Sequence, residues 1–114
     1  MATVYKVLGQ SAPAATTAAD VYTVPSLKYT VVSTITVCNR ATAPATYRIS
    51  VRPNGAAQAD QHYIAYNANV QAEDTTALTI GLTLDAADVI TVYATPSTGA
   101  VGVSFNVFGS EIDA

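Results

Sequence analysis

The sequence has few of the residues that carry chemistry. Its 114 residues include one histidine, one cysteine and no tryptophan, and only 11% are charged, against about 25% in an average soluble domain. The single cysteine, Cys38, excludes an intramolecular disulfide and therefore a secreted disulfide scaffold. No apolar run approaches the ~20 residues that span a bilayer, and the N-terminus lacks the basic stretch and apolar core of a signal peptide. We therefore expect a protein that is made in the cytoplasm and has no membrane partner.

Positive charge is equally sparse. The five basic residues are spread along the chain and form no basic run: Lys6, Lys28, Arg40, Arg48 and Arg52. We expect no nucleic-acid partner, since that binding depends on clustered Lys and Arg. The low charge fits either a Thr- and Ser-rich surface that is polar without charge, or a surface covered in an assembly, because interface cores are depleted in charged residues. We favour the assembly, since a free monomer usually carries more charge for solubility.

Candidate catalytic and metal-binding groups are few and scattered. His62 is the only imidazole, and no G-x-S-x-G motif accompanies it, so a nucleophilic triad is not indicated. Glu73-Asp74 and the pair Asp85 and Asp88 lie at predicted turns, where an Asp accepts hydrogen bonds from its own backbone. No Cys/His cluster, EF-hand loop, P-loop or G-x-G-x-x-G motif is present.

These absences predict a protein that is not an enzyme and has no catalytic, cofactor-binding or metal-binding residues. A calcium site assembled from separated turns is the one metal alternative left open, and no residue pattern favours it. Cys38 ends an apolar strand, and we interpret it as a small strand residue without a redox role.

Alternating strands make up most of what is present. In Tyr47-Arg48-Ile49-Ser50-Val51-Arg52, apolar and polar side chains alternate with period two, which predicts a strand with one buried face. Arg48, Ser50 and Arg52 then share the other face, which we interpret as solvated or in an interface. Similar segments, with turns between them, occupy residues 3–8, 21–24, 29–38, 62–70, 75–84, 89–94 and 101–108.

These segments predict an all-β fold, an antiparallel β-sandwich of jelly-roll type with seven to eight strands. Strand 29–38 is almost unbroken β-branched residues with apolar side chains on both faces, and we expect it to be central. Residues 9–20 read as an extended connector, residues 56–60 as a short helical turn, and Asn54-Gly55 as a tight turn. A chain of this length is one domain, which we divide into an extended N-terminal strand or arm (1–20) and a β-sandwich (21–114).

The seven tyrosines leave a carbohydrate-binding protein open as an alternative, because aromatic rings stack on sugar faces. Against it, Tyr47 is in register with core residues, and lectins of this size tend to show a tryptophan that this chain lacks. Binding on a glycan array that is lost on Tyr→Ala substitution would favour it.

Several segments together resemble a group of small virion structural proteins of tailed bacteriophages, including phages of cyanobacteria. They are Lys6-Val7-Leu8-Gly9-Gln10, Val21-Tyr22-Thr23-Val24-Pro25, the stretch from Val31 to Arg40, Tyr47-Arg48-Ile49-Ser50-Val51-Arg52-Pro53, Gln61-His62-Tyr63-Ile64-Ala65-Tyr66 and the stretch from Phe105 to Glu111. The resemblance covers nearly the whole chain and brings no catalytic motif with it.

This resemblance implies a structural role in a virion, on the capsid exterior. The expected function is that of a cement or decoration protein, whose partners are the major capsid protein and further copies of this chain, as a dimer or trimer. A tail, baseplate or fibre-associated module is the alternative. The absence of a coiled-coil heptad or repeat array favours cement over fibre.

Overall fold

The computed structural model describes residues 2–96 and 102–114. The strands in this part of the chain are β1 (Thr3–Ser11), β2 (Ala19–Thr23), β3 (Lys28–Asn39), β4 (Ala45–Arg52), β5 (Tyr63–Val70), β6 (Thr75–Leu78), β7 (Leu82–Leu84), β8 (Val89–Pro96) and β9 (Val103–Asp113). Two short 3-10 turns, Pro53–Gly55 and Asp60–His62, lie between β4 and β5. The prediction of an all-β fold is confirmed.

The strands form two antiparallel sheets. The five-stranded sheet has the order β1-β9-β3-β6, with β7 also paired to β3, and the four-stranded sheet has the order β2-β8-β4-β5. The chain pairs β1 with β9, β2 with β8, β3 with β6 and β7, and β4 with β5, which is the pairing of one long hairpin. Rolling that hairpin up adds the pairs β9 with β3 and β8 with β4. This arrangement is the jelly roll.

The core lies between the two sheets. Tyr47 and Ile49 of β4 are buried and Val51 is partly buried, as the alternating pattern predicts. Across the core, the Tyr47 ring meets the Phe105 ring of β9 edge-on, with 6.3 Å between ring centres. The largest fully buried side chains are Phe105, Ile35, Ile49, Ile90, Val24 and Val32. Strand β3 is central as predicted, since it is paired along both edges.

The predicted strand 75–84 is wrong as a single element. It divides into β6 and β7, which both pair with β3. Leu78 lies opposite Ile35 and Leu82 lies opposite Val32, so four steps along one strand match three along the other. The extra residue is taken up where Leu82 N donates to the Ile80 carbonyl at 3.1 Å and the chain leaves the ladder.

The predicted helical turn at 56–60 is wrong in its bounds, because one 3-10 turn ends at Gly55 and the other begins only at Asp60, the last residue of the predicted range. Arg52 Nη1 donates to the carbonyls of Gly55 and Ala56, at 3.4 and 2.8 Å, and holds the chain extended there. Asn54 and Gly55 have positive φ angles of 52° and 68°, which confirms the tight turn. His62 belongs to the second 3-10 turn, so β5 begins one residue later than predicted.

Two other strands, β1 and β8, extend past their predicted ends at residues 8 and 94. Pairing of β1 with β9 continues past Gly9 to Ser11. A Cβ at Gly9 would lie 2.1 Å from the Val21 carbonyl oxygen, so this glycine permits a close approach instead of ending the strand. Strand β8 includes Pro96, and the predicted start of the last strand at Val101 lies outside the described residues.

Strand β1 is an edge strand, and Leu8 is its only buried side chain. Residues 3–11 pair with β9 of the same chain. The assignment of residues 1–20 to an arm that contacts a neighbouring subunit stays a prediction.

Candidate interaction surfaces

The scattered polar residues singled out in the sequence have local structural contacts. His62 is buried, and its Nδ1 accepts a hydrogen bond from Ala59 N at 3.1 Å, which closes the second 3-10 turn. Within residues 2–96 and 102–114, no three His, Cys, Asp or Glu side chains are grouped as a metal site would need. No helix in the same residues is long and apolar enough to cross a bilayer.

The paired carboxylates stabilise turns, as predicted. Asp88 accepts hydrogen bonds from the backbone N–H groups of Asp85 and Asn54, both at 2.8 Å. Asp74 accepts one from Thr75 N at 2.8 Å, beside Glu73, whose φ is 52°. Cys38 is a free, half-buried thiol on β3.

A row of four residues crosses the outer face of the four-stranded sheet. Its register places Asp20 opposite Thr91, Thr91 opposite Ser50, and Ser50 opposite Tyr63. The two central residues are small, and longer side chains stand around them, including Arg48, Arg52, Gln58 and Tyr93. The result is a depression of about 200 Å³, called here the arginine–tyrosine depression.

Arg48, at this depression, contacts two aromatic rings. Its guanidinium carbon lies 4.3 Å from the centre of the Tyr66 ring and 4.6 Å from that of Tyr93, and such contacts are attractive because the ring faces are negative. Its Nε donates to Asn67 Oδ1 at 2.7 Å. Arg48 forms no ion pair with any residue in the described part of the chain.

Arg52, by contrast, is neutralised. Its Nη2 pairs with Asp20 Oδ1 at 3.0 Å, and its Nε donates to Thr91 Oγ1 at 3.0 Å. The Thr91 hydroxyl in turn donates to Asp20 Oδ1 at 2.9 Å. Ser50, only 1% exposed, donates to Gln58 Oε1 at 2.7 Å. Arg48, Ser50 and Arg52, on the predicted polar face, are therefore each hydrogen-bonded within the chain.

Irregularities in β5 bring two tyrosines to this face, which sequence alternation does not predict. Tyr63 and Tyr66 are three residues apart, and a regular strand would direct them to opposite faces. The register has Ser50 opposite Tyr63 but Ile49 opposite Ala65, so Ile64 is an extra residue and shifts the alternation. The two rings then meet edge-on at 4.9 Å. No turn residue in β5 signals this bulge.

The outer face of the five-stranded sheet is more apolar. Tyr5 is 84% exposed, Tyr29 and Val7 are about half exposed, and Val31 and Phe108 are partly buried. Val7 lies opposite Phe108, while Tyr5 and Val31 both lie opposite Ser110. We call this set of five residues the apolar face.

A buried polar network lies at the end of the sandwich. The Tyr22 hydroxyl donates to Glu111 Oε2 at 2.6 Å, so its contact with Thr30 Oγ1 at 2.7 Å is one in which Thr30 donates. Lys6 Nζ lies 3.2 Å from Glu111 Oε1. Burial, together with the bond to Glu111, raises the pKa of Tyr22 well above its usual value. The Tyr22 hydrogen bond, followed by the bond from Lys6, holds the pKa of Glu111 below its usual value despite burial.

The two chain ends meet beside this network. Lys28 pairs with Asp113, and Ala2 N donates to Asp113 Oδ2 at 3.2 Å. The hydrogen bond from Lys28, then that from Ala2, lowers the pKa of Asp113. Within the described residues, every fully buried side-chain nitrogen and oxygen has a hydrogen-bond partner.

Comparison with solved structures finds this fold in viral particles. The chain aligns over 96% of its length with 32% of a chain from infectious bursal disease virus, Gx strain, at 8% identity and a TM-score of 0.55. It aligns over 99% of its length with 98% of a chain in the acid-stable capsid of Helicobacter pylori bacteriophage KHP30, at 13% identity and a TM-score of 0.54. A chain of the Gt strain of bursal disease virus gives 9% identity, a TM-score of 0.50 and the same coverages, 96% and 32%.

No protein-family model and no curated protein matches the chain by sequence. The chain spans about a third of the bursal disease virus chains but nearly all of the phage KHP30 chain. At identities of 8–13% these likenesses show the fold alone. The chain therefore shares its β-sandwich fold with chains found in two kinds of virus particle.

Proposed function

We propose that this protein is a non-enzymatic structural protein of a bacteriophage virion, and specifically a cement or decoration protein on the capsid exterior. Its work is physical: it bridges neighbouring copies of the major capsid protein and stabilises the shell. No cofactor takes part in this function.

The observation that carries the proposal is reciprocal coverage. The likeness spans 99% of this chain and 98% of a chain in a phage capsid structure, so nearly all of one chain corresponds to nearly all of the other. A β-sandwich suits a role that consists of surface contact.

Surface composition supports the same role. Only 11% of the residues are charged, and the apolar face exposes Tyr5, Val7 and Tyr29 on one side of the molecule. Burial of aromatic and aliphatic side chains is the main favourable term in association. We assign this face to the contact with the major capsid protein, with the arm at residues 1–20 extending the contact.

The test is localisation of the protein on purified virions by cryo-EM or immunogold labelling. Regularly spaced copies over the head are expected. Signal confined to the tail would contradict the cement role and favour the alternative, a tail, baseplate or fibre-associated module. Absence from virions would overturn both.

Self-association into a dimer or trimer is a further part of the proposal, because capsid positions have closed symmetry. Sedimentation at high protein concentration is expected to show species larger than the 11.8 kDa chain. Two observations together would contradict self-association: sedimentation of the purified protein without virions as a single species of monomer mass, and isolated copies of the protein on the capsid.

A further inference from the structure

We propose that the arginine–tyrosine depression binds one acidic sugar unit, a monosaccharide residue bearing a carboxylate, of a glycan chain. This site lies on the four-stranded sheet, away from the apolar face, and its existence does not depend on the capsid role.

Charge in the depression selects an anion. Arg52 is neutralised by Asp20 at 3.0 Å, but Arg48 has no carboxylate partner among the described residues. Only Nε of Arg48 donates a hydrogen bond within those residues, so both Nη atoms remain available. The contacts with the Tyr66 and Tyr93 rings, together with the bond from Nε to Asn67, restrict the movement of the guanidinium, and a guanidinium presents paired donors that match a carboxylate. This local positive charge stands out in a chain of net charge −3.

Size and walls select a sugar over a simple ion. The depression measures about 200 Å³, whereas a water molecule occupies about 30 Å³ of liquid, so there is room for a ring. Tyr63 and Tyr93 line it, and the C–H faces of a pyranose pack on tyrosine rings as apolar groups do.

Hydroxyl recognition is available at the opposite end. Asp20 is about half exposed, and its Oδ1 accepts bonds from Arg52 and Thr91 while Oδ2 accepts none within the described residues. Asp20 on β2 and Arg48 on β4 are separated by β8, and Arg48 lies two residues along β4 from Ser50, which is in register with Asp20. Their Cα atoms are therefore about 12 Å apart. One sugar ring with a hydrogen bond at each end covers that span, its carboxylate at Arg48 and its hydroxyls at Asp20.

The test is an NMR titration of the ¹⁵N-labelled protein with sodium glucuronate, and with glucose and sodium acetate as comparison ligands. Glucuronate is expected to shift resonances of the depression saturably with a Kd of about 1 mM, as suits so small a ligand. Glucose lacks the carboxylate and acetate lacks the ring, so each is expected to bind at least about tenfold more weakly, a difference of about 1.4 kcal/mol.

Two matched pairs of variants assign the contacts. Arg48→Gln is expected to weaken glucuronate binding about tenfold, and Arg40→Gln, outside the depression, to leave it unchanged. Tyr63→Ala is expected to weaken it several-fold, and Tyr29→Ala, on the other sheet, to leave it unchanged. Unfolding curves of all four variants accompany the titrations.

The comparison of the three ligands on the unaltered protein stands even where a variant fails to fold. Equal binding of acetate, or loss of binding in Arg48→Gln but not in Tyr63→Ala, would reduce the depression to a simple anion site and overturn the proposal. Equal binding of glucose would overturn the assignment of an acidic sugar. No saturable shift with glucuronate would overturn the site itself.

Discussion

Glu111 is a carboxylate with only 8% of its surface exposed, bound by Tyr22 and Lys6. Replacing it by Gln keeps an acceptor for Tyr22 but removes the charge that Lys6 contacts. We expect Glu111→Gln to lower the free energy of unfolding by about 1–2 kcal/mol near neutral pH, measured by urea denaturation.

The difference in the free energy of unfolding between the wild type and Glu111→Gln should also depend on pH. The folded-state pKa of Glu111 lies below its unfolded value, which is about 4.3. A group with a lowered pKa adds stability that is present above the unfolded pKa and is lost as pH falls through the folded pKa. The gap between wild type and Glu111→Gln should therefore close as pH falls below about 4. A gap that stays constant down to about pH 2 would contradict this account.

Gly109 marks a place where two backbones touch. A Cβ there would lie 2.1 Å from the Val31 carbonyl oxygen and 3.0 Å from Val32 Cα, at the bulge between β3 and β9. We expect Gly109→Ala to lower the free energy of unfolding by about 1–3 kcal/mol, because these backbone atoms have no room to move aside.

Gly81 is the matched control, since a Cβ at that position meets nothing within 4 Å. Its substitution by Ala should change the free energy of unfolding by no more than about 0.5 kcal/mol. Equal effects of the two substitutions in thermal or urea unfolding would show that close approach is not what Gly109 provides.

At the scale of elements, β1 is a long edge strand that contributes little to the core. It lies at a sheet edge and contributes one buried side chain, Leu8. We expect a truncation that lacks residues 1–11 to fold with a single cooperative transition at a lower midpoint, and to lose most of its binding to capsids. The truncation stops before β2, which begins at Ala19, so the four-stranded sheet stays whole.

Unfolding curves and a capsid co-sedimentation assay measure the two effects separately. A folded truncation that binds capsids at full strength would remove residues 1–11, and with them Tyr5 and Val7 of the apolar face, from the proposed contact. A truncation that no longer folds would show instead that β1 is part of the folding unit.

Sequence alternation predicts the regular elements and misses the irregular ones. Tyr47, Ile49 and Val51 face inward as their spacing indicates, because each strand position fixes a face. A bulge breaks that rule without a sequence mark. The extra residue Ile64 places Tyr63, which lines the depression, and Tyr66, which contacts Arg48, on one face, and alternation in the sequence does not predict this grouping.

At the scale of the whole molecule, the fold class follows from short strands at regular spacing, but the strand order does not. Alternation tells which face of β4 is buried, and nothing in it tells that β8, far along the chain, is its neighbour. Those long-range pairs are selected by how all apolar faces fit together at once. The interaction surfaces depend on the pairs, since Tyr5, Ser110 and Val31 meet only across β1, β9 and β3.

The two outer faces of the sandwich differ in chemistry, and this difference suggests how the protein is oriented on the capsid. The apolar face displays Tyr5, Val7 and Tyr29 on the five-stranded sheet, while the four-stranded sheet displays the arginine–tyrosine depression. An apolar face gains most from burial, and a sugar site needs access to solvent. We therefore expect the five-stranded sheet to face the capsid and the four-stranded sheet to face outward.

Paired tyrosine substitutions test this orientation. Tyr5 and Tyr66 are both exposed, at 84% and 57%, and stand on opposite sheets. Tyr5→Ser should change the free energy of unfolding by no more than about 0.5 kcal/mol, whereas Tyr66→Ser also loses contacts with Arg48 and Tyr63 and should lower it by about 0.5–1.5 kcal/mol. Tyr5→Ser combined with Tyr29→Ser is expected to lower capsid occupancy at least tenfold in a co-sedimentation titration, because truncating central aromatic contacts costs about 1–2 kcal/mol or more each. Tyr66→Ser is expected to leave occupancy unchanged. If Tyr66→Ser lowers capsid occupancy and the double substitution does not, the orientation is the opposite one. The depression would then contact the shell, and the apolar face would be left for another partner.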